Sequence, residues 1–185
     1  MFGELTMMYE YKNEIVDILG EIYMQNKIGN SNLGQFFTPF HISECMAKMI
    51  VNKEDAKSII NKNGYITLCE PCCGAGVMVL GTAKALKDQD INYQQDLLVY
   101  AVDISEICVY MTYIQLSLYG IPAIVFCGDS ITQKMNFQLE TPFYFMNYWK
   151  FNKTDNNAEE ITSKEEIITK FNEVTVKGNC QFSLW

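Results

Sequence analysis

Positive charge, histidine and long apolar runs are all scarce in this chain. Acidic residues outnumber basic ones by 22 to 14, a formal charge of −8. That balance argues against holding DNA by bulk electrostatics, because phosphate contacts need Lys and Arg. The nearest thing to a basic patch is Lys48, Lys53, Lys57 and Lys62, which reads as the wet face of a helix. No stretch approaches the roughly 18 apolar residues of a membrane-spanning helix, so no membrane association is expected. The first residues, MFGELTMMYEYKNE, carry no charged leader followed by an apolar block, so no signal peptide is expected. No internal repeat is visible. The single histidine, His41, limits metal chemistry: zinc sites need about four ligands at paired spacing, and no second CxxC accompanies Cys69, Cys72 and Cys73. No metal is expected. The seven cysteines (Cys45, Cys69, Cys72, Cys73, Cys108, Cys127 and Cys180) are odd in number and mostly sit within apolar runs. That pattern suits buried, reduced thiols in the cytoplasm rather than a disulfide framework.

What is present suffices for one domain with a substantial core, since 49% of 185 residues are apolar. From Met8 to Ile28, Ile15, Ile18, Leu19, Ile22 and Tyr23 recur at helical spacing, predicting one amphipathic helix that ends near Gly29-Asn30. In TPFHISECMAKMIV, Thr38 is expected to cap a helix with Pro39 at its first position and Ile42, Cys45, Met46 and Met49 on the buried face. After Gly64 short strands and helices alternate: YITLCE, a helix from Val77 to Lys87, LLVYAVD, a helix from Ser105 to Tyr119, and PAIVFCGD. A β-α-β-α-β run implies a parallel sheet flanked by helices, because parallel strands need crossover connections. From Lys150 the composition turns polar and reads as a linker. Ser163 and Glu166 offer a capping box for a short helix through Phe171, and VTVKGNCQFSLW reads as a hairpin.

The stretch LCEPCCGAGVMVL, Leu68 to Leu80, joins the first strand to its helix. A thioredoxin-like pair does not fit, since Cys69 lies within the strand, and a phosphate loop would need Lys after its last glycine. A glycine turn remains. Gly74 and Gly76 let the backbone turn sharply and let a ligand approach. Asp103 and Asp129 end the next two strands, so with Glu70 three acids are expected at the carboxyl edge of one sheet, the usual ligand crevice of such folds.

Glu70-Pro71-Cys72-Cys73-Gly74-Ala75-Gly76 resembles the (D/E)PxCGxG signature of adenine-specific DNA methyltransferases, especially type I restriction-modification methylation subunits. Gly34-Gln35-Phe36-Phe37-Thr38-Pro39 is similar to the GQFFTP segment that precedes it in that family. The resemblance implies a reduced Rossmann-like S-adenosylmethionine-dependent methyltransferase fold. Its regions would be an N-terminal helical segment over 1–52, a cofactor-binding α/β core over 53–150 and a variable tail over 151–185. It further implies S-adenosylmethionine as cofactor. Phe36, Thr38 and Pro39 would line its methionine end. Glu70 and the Cys73–Gly76 backbone, with Pro71 in the motif, would hold the amino acid portion. Asp103 would bind the ribose, Ile104 would pack on the adenine, and Asp129 would accept from the adenine amino group.

The family's second signature, (D/N/S)PP(Y/F/W), holds the target amino group and stacks on a flipped base. The four prolines, Pro39, Pro71, Pro122 and Pro142, include no adjacent pair, so that motif is absent. The nearest substitute, Glu140 to Phe145, offers Thr141, Pro142, Phe143 and Tyr144 as catalytic candidates; the competing reading is a strand packing its aromatics into the core. The last residues, Gln181, Phe182, Ser183, Leu184 and Trp185, resemble the peptide by which bacterial proteins dock into the replication sliding clamp, with a terminal strand as the alternative. The function implied is methylation of the adenine amino group in DNA in a restriction-modification setting. DNA would be bound weakly by this chain alone, and a second methylase or specificity subunit is the implied partner. The alternative from another class is a catalytically inactive S-adenosylmethionine-binding adaptor.

Overall fold

Helices come first along the chain: α1 (Phe2–Lys12), α2 (Ile18–Gln25), α3 (Phe40–Ile50) and α4 (Lys53–Asn63). Strand and helix then alternate as β1 (Ile66–Glu70), α5 (Val77–Lys87), a single-turn α6 (Tyr93–Asp96), β2 (Leu97–Asp103), α7 (Glu106–Leu118) and β3 (Ala123–Asp129). The chain turns back as β4 (Lys134–Glu140), makes the short helix α8 (Pro142–Met146) and returns as the two-residue β5 (Phe182–Ser183). The computed structural model describes residues 2–12, 14–26, 37–147 and 182–183. No helix among them is long and apolar enough to cross a membrane.

The sheet runs in the order β4-β3-β2-β1-β5. β1, β2, β3 and β5 are parallel and β4 is antiparallel to β3. The parallel run advances in one direction, so right-handed crossovers put α5 and α7 on the same face. Strand side chains alternate between two cores. Leu68, Val99, Ala101 and Val125 share one core with Leu80 and Ala83 of α5 and Val109 and Leu116 of α7. Cys69, Leu98, Tyr100, Val102, Ile124 and Phe126 form the other, with Tyr144 of α8. Registers of Glu70 on Ala101 and Asp103 on Cys127 bring the three strand-end acids to one edge. The expected α/β architecture, a parallel sheet flanked by helices, is thus the observed one.

Several local expectations need correction. The helix expected from Met8 to Ile28 is two helices, because Asp17 leaves helical geometry and caps α2 by accepting from Gly20 N. The N-cap of α3 is Pro39, not Thr38, and no side chain caps that end. Its buried face is also different. Ile42, Cys45, Met46 and Met49 are exposed, Met49 by 81%, while Ser43 and Ala47 are buried. The cause is close approach to α5, where a Cβ on Gly81 would stand 2.2 Å from Ser43 Oγ. Only small residues fit between two helices that near. The Ser43 hydroxyl donates to Val77 O at 2.8 Å, so burying it costs little. Pro142 to Phe145 is helical rather than a strand: Tyr144 enters the core and Phe145 stays exposed. Cys69 is disulfide-bonded, whereas Cys45, Cys72, Cys73, Cys108 and Cys127 are free, so the expectation of seven reduced thiols does not hold. Gly34, Gln35, Phe36, the capping box at Ser163 and Glu166, and Gln181, Leu184 and Trp185 lie outside the described residues.

Candidate functional site

Left-handed backbone at Gly74 (φ 54°) and Gly76 (φ 90°) folds the segment after β1 back onto the sheet edge and opens α5, whose N-cap is Gly76. An L side chain is strained in that region of backbone space. The turn is pinned from three sides. Cys73 N donates to Val102 O at 2.8 Å, Gly74 N donates to Asp103 Oδ2 at 2.8 Å, and the Thr112 hydroxyl donates to Gly74 O at 2.8 Å. Cys73 is buried beneath it, and burial pushes its thiol well above the usual range, so it stays a neutral packing group. Cys72 is exposed and Pro71 half-buried. Phe37 lies against the turn, its ring 3.3 Å from where a Gly74 Cβ would be.

Glu70 ends β1 with 1% of its surface exposed. Its Oε1 accepts from Cys72 N at 3.2 Å, while Oε2 is buried with no partner. An unmatched buried oxygen costs about 1–3 kcal/mol, which a donor-bearing ligand would recover. Burial, helped by the Asp103 charge and opposed by the Cys72 N–H, raises the Glu70 carboxyl from 4.5 to about 7. Asp103 is committed at both oxygens, since Oδ1 accepts from Ser105 N at 2.8 Å while Oδ2 holds the turn. Each oxygen keeps a second lone pair for a ligand hydroxyl. Ile104 beside it is 75% exposed, an apolar surface at the edge of the turn. Asp129 accepts from the Thr132 hydroxyl at 2.8 Å and from Ile131 N at 2.9 Å, bonds that hold its carboxyl below the ordinary range.

A cavity of about 440 Å³ adjoins this edge, lined by Asp17 and Glu21 of the α2 region together with Phe37, Thr38, Pro39 and His41. Glu70, Asp103 and Asp129 are not among its walls, so it borders the glycine turn through Phe37 rather than containing it. Stacking of Tyr23 on Phe37, with centroids 5.2 Å apart, fixes the cavity's two sides relative to each other. Asp17 is buried, and desolvation raises its carboxyl above the usual range against the lowering effect of bonds from Gln115 and Gly20. Gln115, on α7, links this wall to the turn: its amide nitrogen donates to Asp17 Oδ1 at 2.8 Å and to Ala75 O at 2.7 Å.

The structure therefore brings together Thr38, Pro39, Glu70, Pro71, Cys73, Gly74, Gly76, Asp103, Ile104 and Asp129, all at or next to one sheet edge. It does not bring Thr141, Pro142, Phe143 and Tyr144 there. β4 runs antiparallel, from Lys134 beside Asp129 to Glu140 beside Ile124, and so delivers these four to the opposite end of β3. Thr141 is buried there, donating to Ile121 O at 2.8 Å and accepting from Ala123 N at 2.9 Å. Sequence reasoning missed Asp17, Phe37 and Gln115 as parts of the site. Phe37 was within reach, as the neighbour of Phe36 in the same motif. A glutamine in the helix EICVYMTYIQLSL carries no motif that could have marked it.

Among protein-family models, the one described as N-6 DNA Methylase matches residues 14–183. No curated protein matches the chain.

Proposed function

The chain belongs to the N-6 DNA methylase family, and on that premise we propose that it is a reduced, S-adenosylmethionine-dependent methyltransferase acting on the adenine amino group of DNA. The observation that carries the cofactor reading is the buried, unpartnered Glu70 Oε2 beside a turn with two left-handed glycines. S-adenosylmethionine supplies an electrophilic methyl group on a sulfonium and carries an ammonium, and a cationic N–H donor suits such an oxygen. In this reading the ammonium end lies between Glu70 and the Cys73–Gly76 backbone. Phe36, Thr38 and Pro39 shape the methionine end, and Asp103 accepts from the ribose hydroxyls through its remaining lone pairs. Ile104 supports the adenine ring, and Asp129 accepts from its amino group. Glu70 ionises as the cation arrives, because a paired charge offsets the desolvation that keeps the free carboxyl near neutrality.

The acceptor side is drawn from elsewhere. Thr141 to Tyr144 sit across the sheet from the turn, with the Thr141 hydroxyl already spent on backbone. All fourteen basic residues are lysines, and in this reading arginine contacts to guanine are supplied by a partner, such as a specificity or second methylase subunit. That placement also favours a second reading, an adaptor that binds S-adenosylmethionine and transfers nothing. The Gln181 to Trp185 peptide would serve either reading as a sliding-clamp anchor, on leaving β5 to dock. Truncating it should abolish retention on immobilised clamp, and unchanged retention removes that element.

The test is incubation with methyl-labelled S-adenosylmethionine and mixed-sequence DNA, with and without candidate partner subunits. Label on the adenine amino nitrogen supports the methyltransferase. Binding without transfer under every condition replaces it with the adaptor. Absence of binding, unaltered by Asp103→Ala, removes the cofactor reading itself.

A further inference from the structure

Gln115 is fully buried (0% exposed) in the middle of an otherwise largely apolar helix. A primary amide there is costly unless each of its groups is matched, and here all are. Its nitrogen donates to Asp17 Oδ1 at 2.8 Å and to Ala75 O at 2.7 Å. Its oxygen accepts from the Tyr9 hydroxyl at 2.8 Å and from Leu19 N at 3.2 Å. The orientation of the amide follows from partner chemistry, since a backbone carbonyl can only accept and a backbone N–H can only donate. One side chain thus bonds α1, the cap and first turn of α2, and the central residue of the Gly74-Ala75-Gly76 turn.

We propose that Gln115 is a positioning residue that couples docking of the α1–α2 pair to ligand binding at the glycine turn. This rests on the cofactor reading above. If the α1–α2 pair moves away, the amide loses Asp17 and Leu19 from α2 and Tyr9 from α1 and is left with unmatched valences in an apolar interior. Re-satisfying them requires the amide to move, which releases the Ala75 carbonyl and with it the shape of the turn that the ligand reads. Coupling of binding equilibria is reciprocal, so a ligand that favours the ordered turn also favours docked α2. Tyr119 supports the docked state from the end of α7, its hydroxyl donating to Val16 O at 2.9 Å and accepting from Val16 N at 3.0 Å, without touching the turn.

Hydrogen exchange on the full chain with and without S-adenosylmethionine tests this, alongside titration of affinity. In the wild type the ligand should slow exchange at the 73–76 turn and also at the Leu19 and Gly20 amides. Gln115→Met keeps the length and removes the bonds. It should weaken the affinity about tenfold, and the ligand should then protect the turn without protecting α2. If α2 stays protected in that variant at wild-type affinity, the ligand touches α2 directly and the coupling is wrong. If Gln115→Met does not fold, the Asp17 pair decides. Asp17→Ala should lose affinity and Asp17→Asn, which keeps an oxygen for the Gln115 amide, should restore it. Equal loss in both assigns the effect to the Asp17 charge and overturns the proposal. A wild type that binds ligand with protection confined to the turn overturns the coupling alone, whereas a wild type that binds none overturns the cofactor reading beneath it.

Discussion

The turn after β1 and the corner after β4 start from similar material. Each follows a strand that ends in glutamate, and each places a proline at or just past the exit, Glu70-Pro71 in one and Glu140-Thr141-Pro142 in the other. At the first, Glu70 Oε2 has no partner, Cys72 is exposed and Gly74 and Gly76 open the backbone to close approach. At the second, Thr141 spends its hydroxyl on Ile121 O and Ala123 N and is closed to anything else. Strand direction separates them. β1 is parallel to its neighbours and exits where β2 and β3 also end, so polar groups from three strands converge; β4 is antiparallel and exits alone. An acid and a proline after a strand make a site only at the edge where other strands deliver their own ends.

The contrast can be broken most forcefully at Asp103. Asp103→Ala removes the acceptors of Gly74 N and Ser105 N. It should raise the dissociation constant for S-adenosylmethionine by about 100-fold and cost about 2 kcal/mol of stability. Calorimetric titration and denaturant melts read the two effects, and a variant that binds normally would detach the turn from ligand binding.

Next in size is Glu70. Its folded pKa of about 7 lies above its ordinary 4.5, so the folded state holds the proton more tightly. The associated stability is complete below about pH 4.5 and lost as pH rises through about 7. The loss is on the order of 3 kcal/mol. Glu70→Gln should therefore melt higher than the wild type at pH 8 and show no such slope, while wild-type cofactor affinity rises between pH 6 and 8 and that of the variant stays flat.

Thr141→Val should cost about 2 kcal/mol by leaving a buried carbonyl and N–H unmatched, with cofactor affinity unchanged. A shift in affinity would join the two corners and undo the comparison. Smallest is Gly76→Ala. Its left-handed φ and a Cβ 3.2 Å from the Thr112 side chain predict about 1–2 kcal/mol of destabilisation and a weaker cofactor site, read by thermal melts and titration.

Much of the frame was legible in residues alone because β1, β2 and β3 are short apolar runs with acids at their ends. LLVYAVD and the Val77–Lys87 helix appear with the bounds the pattern predicted. The failures share a physical cause, which is that tertiary packing overrode local pattern. Met46 and Met49 face solvent because α3 presents Ser43 and Ala47 to Gly81. The break between α1 and α2 depends on Asp17 finding Gln115 across 98 residues of sequence, a partnership no helical periodicity announces. Of the candidate site, the strand-end acids and glycines carried motifs, whereas the cavity wall from α2 and the Gln115 link exist only once the N-terminal helices are packed.

The strand order has a kinetic side. β1 finds β2 after a modest crossover, Ile66 pairing with Leu97, but among the described residues its other edge is met by Phe182 and Ser183 opposite Leu68 and Cys69. Closing so long a loop adds little to the entropic cost at equilibrium, since that cost grows only logarithmically with length, yet it slows the search for the pairing. During synthesis from the N-terminus, an apolar strand therefore waits with one side unpaired while more than half of the chain is still being made. That interval is the stage at which this fold is most open to pairing with the wrong strand.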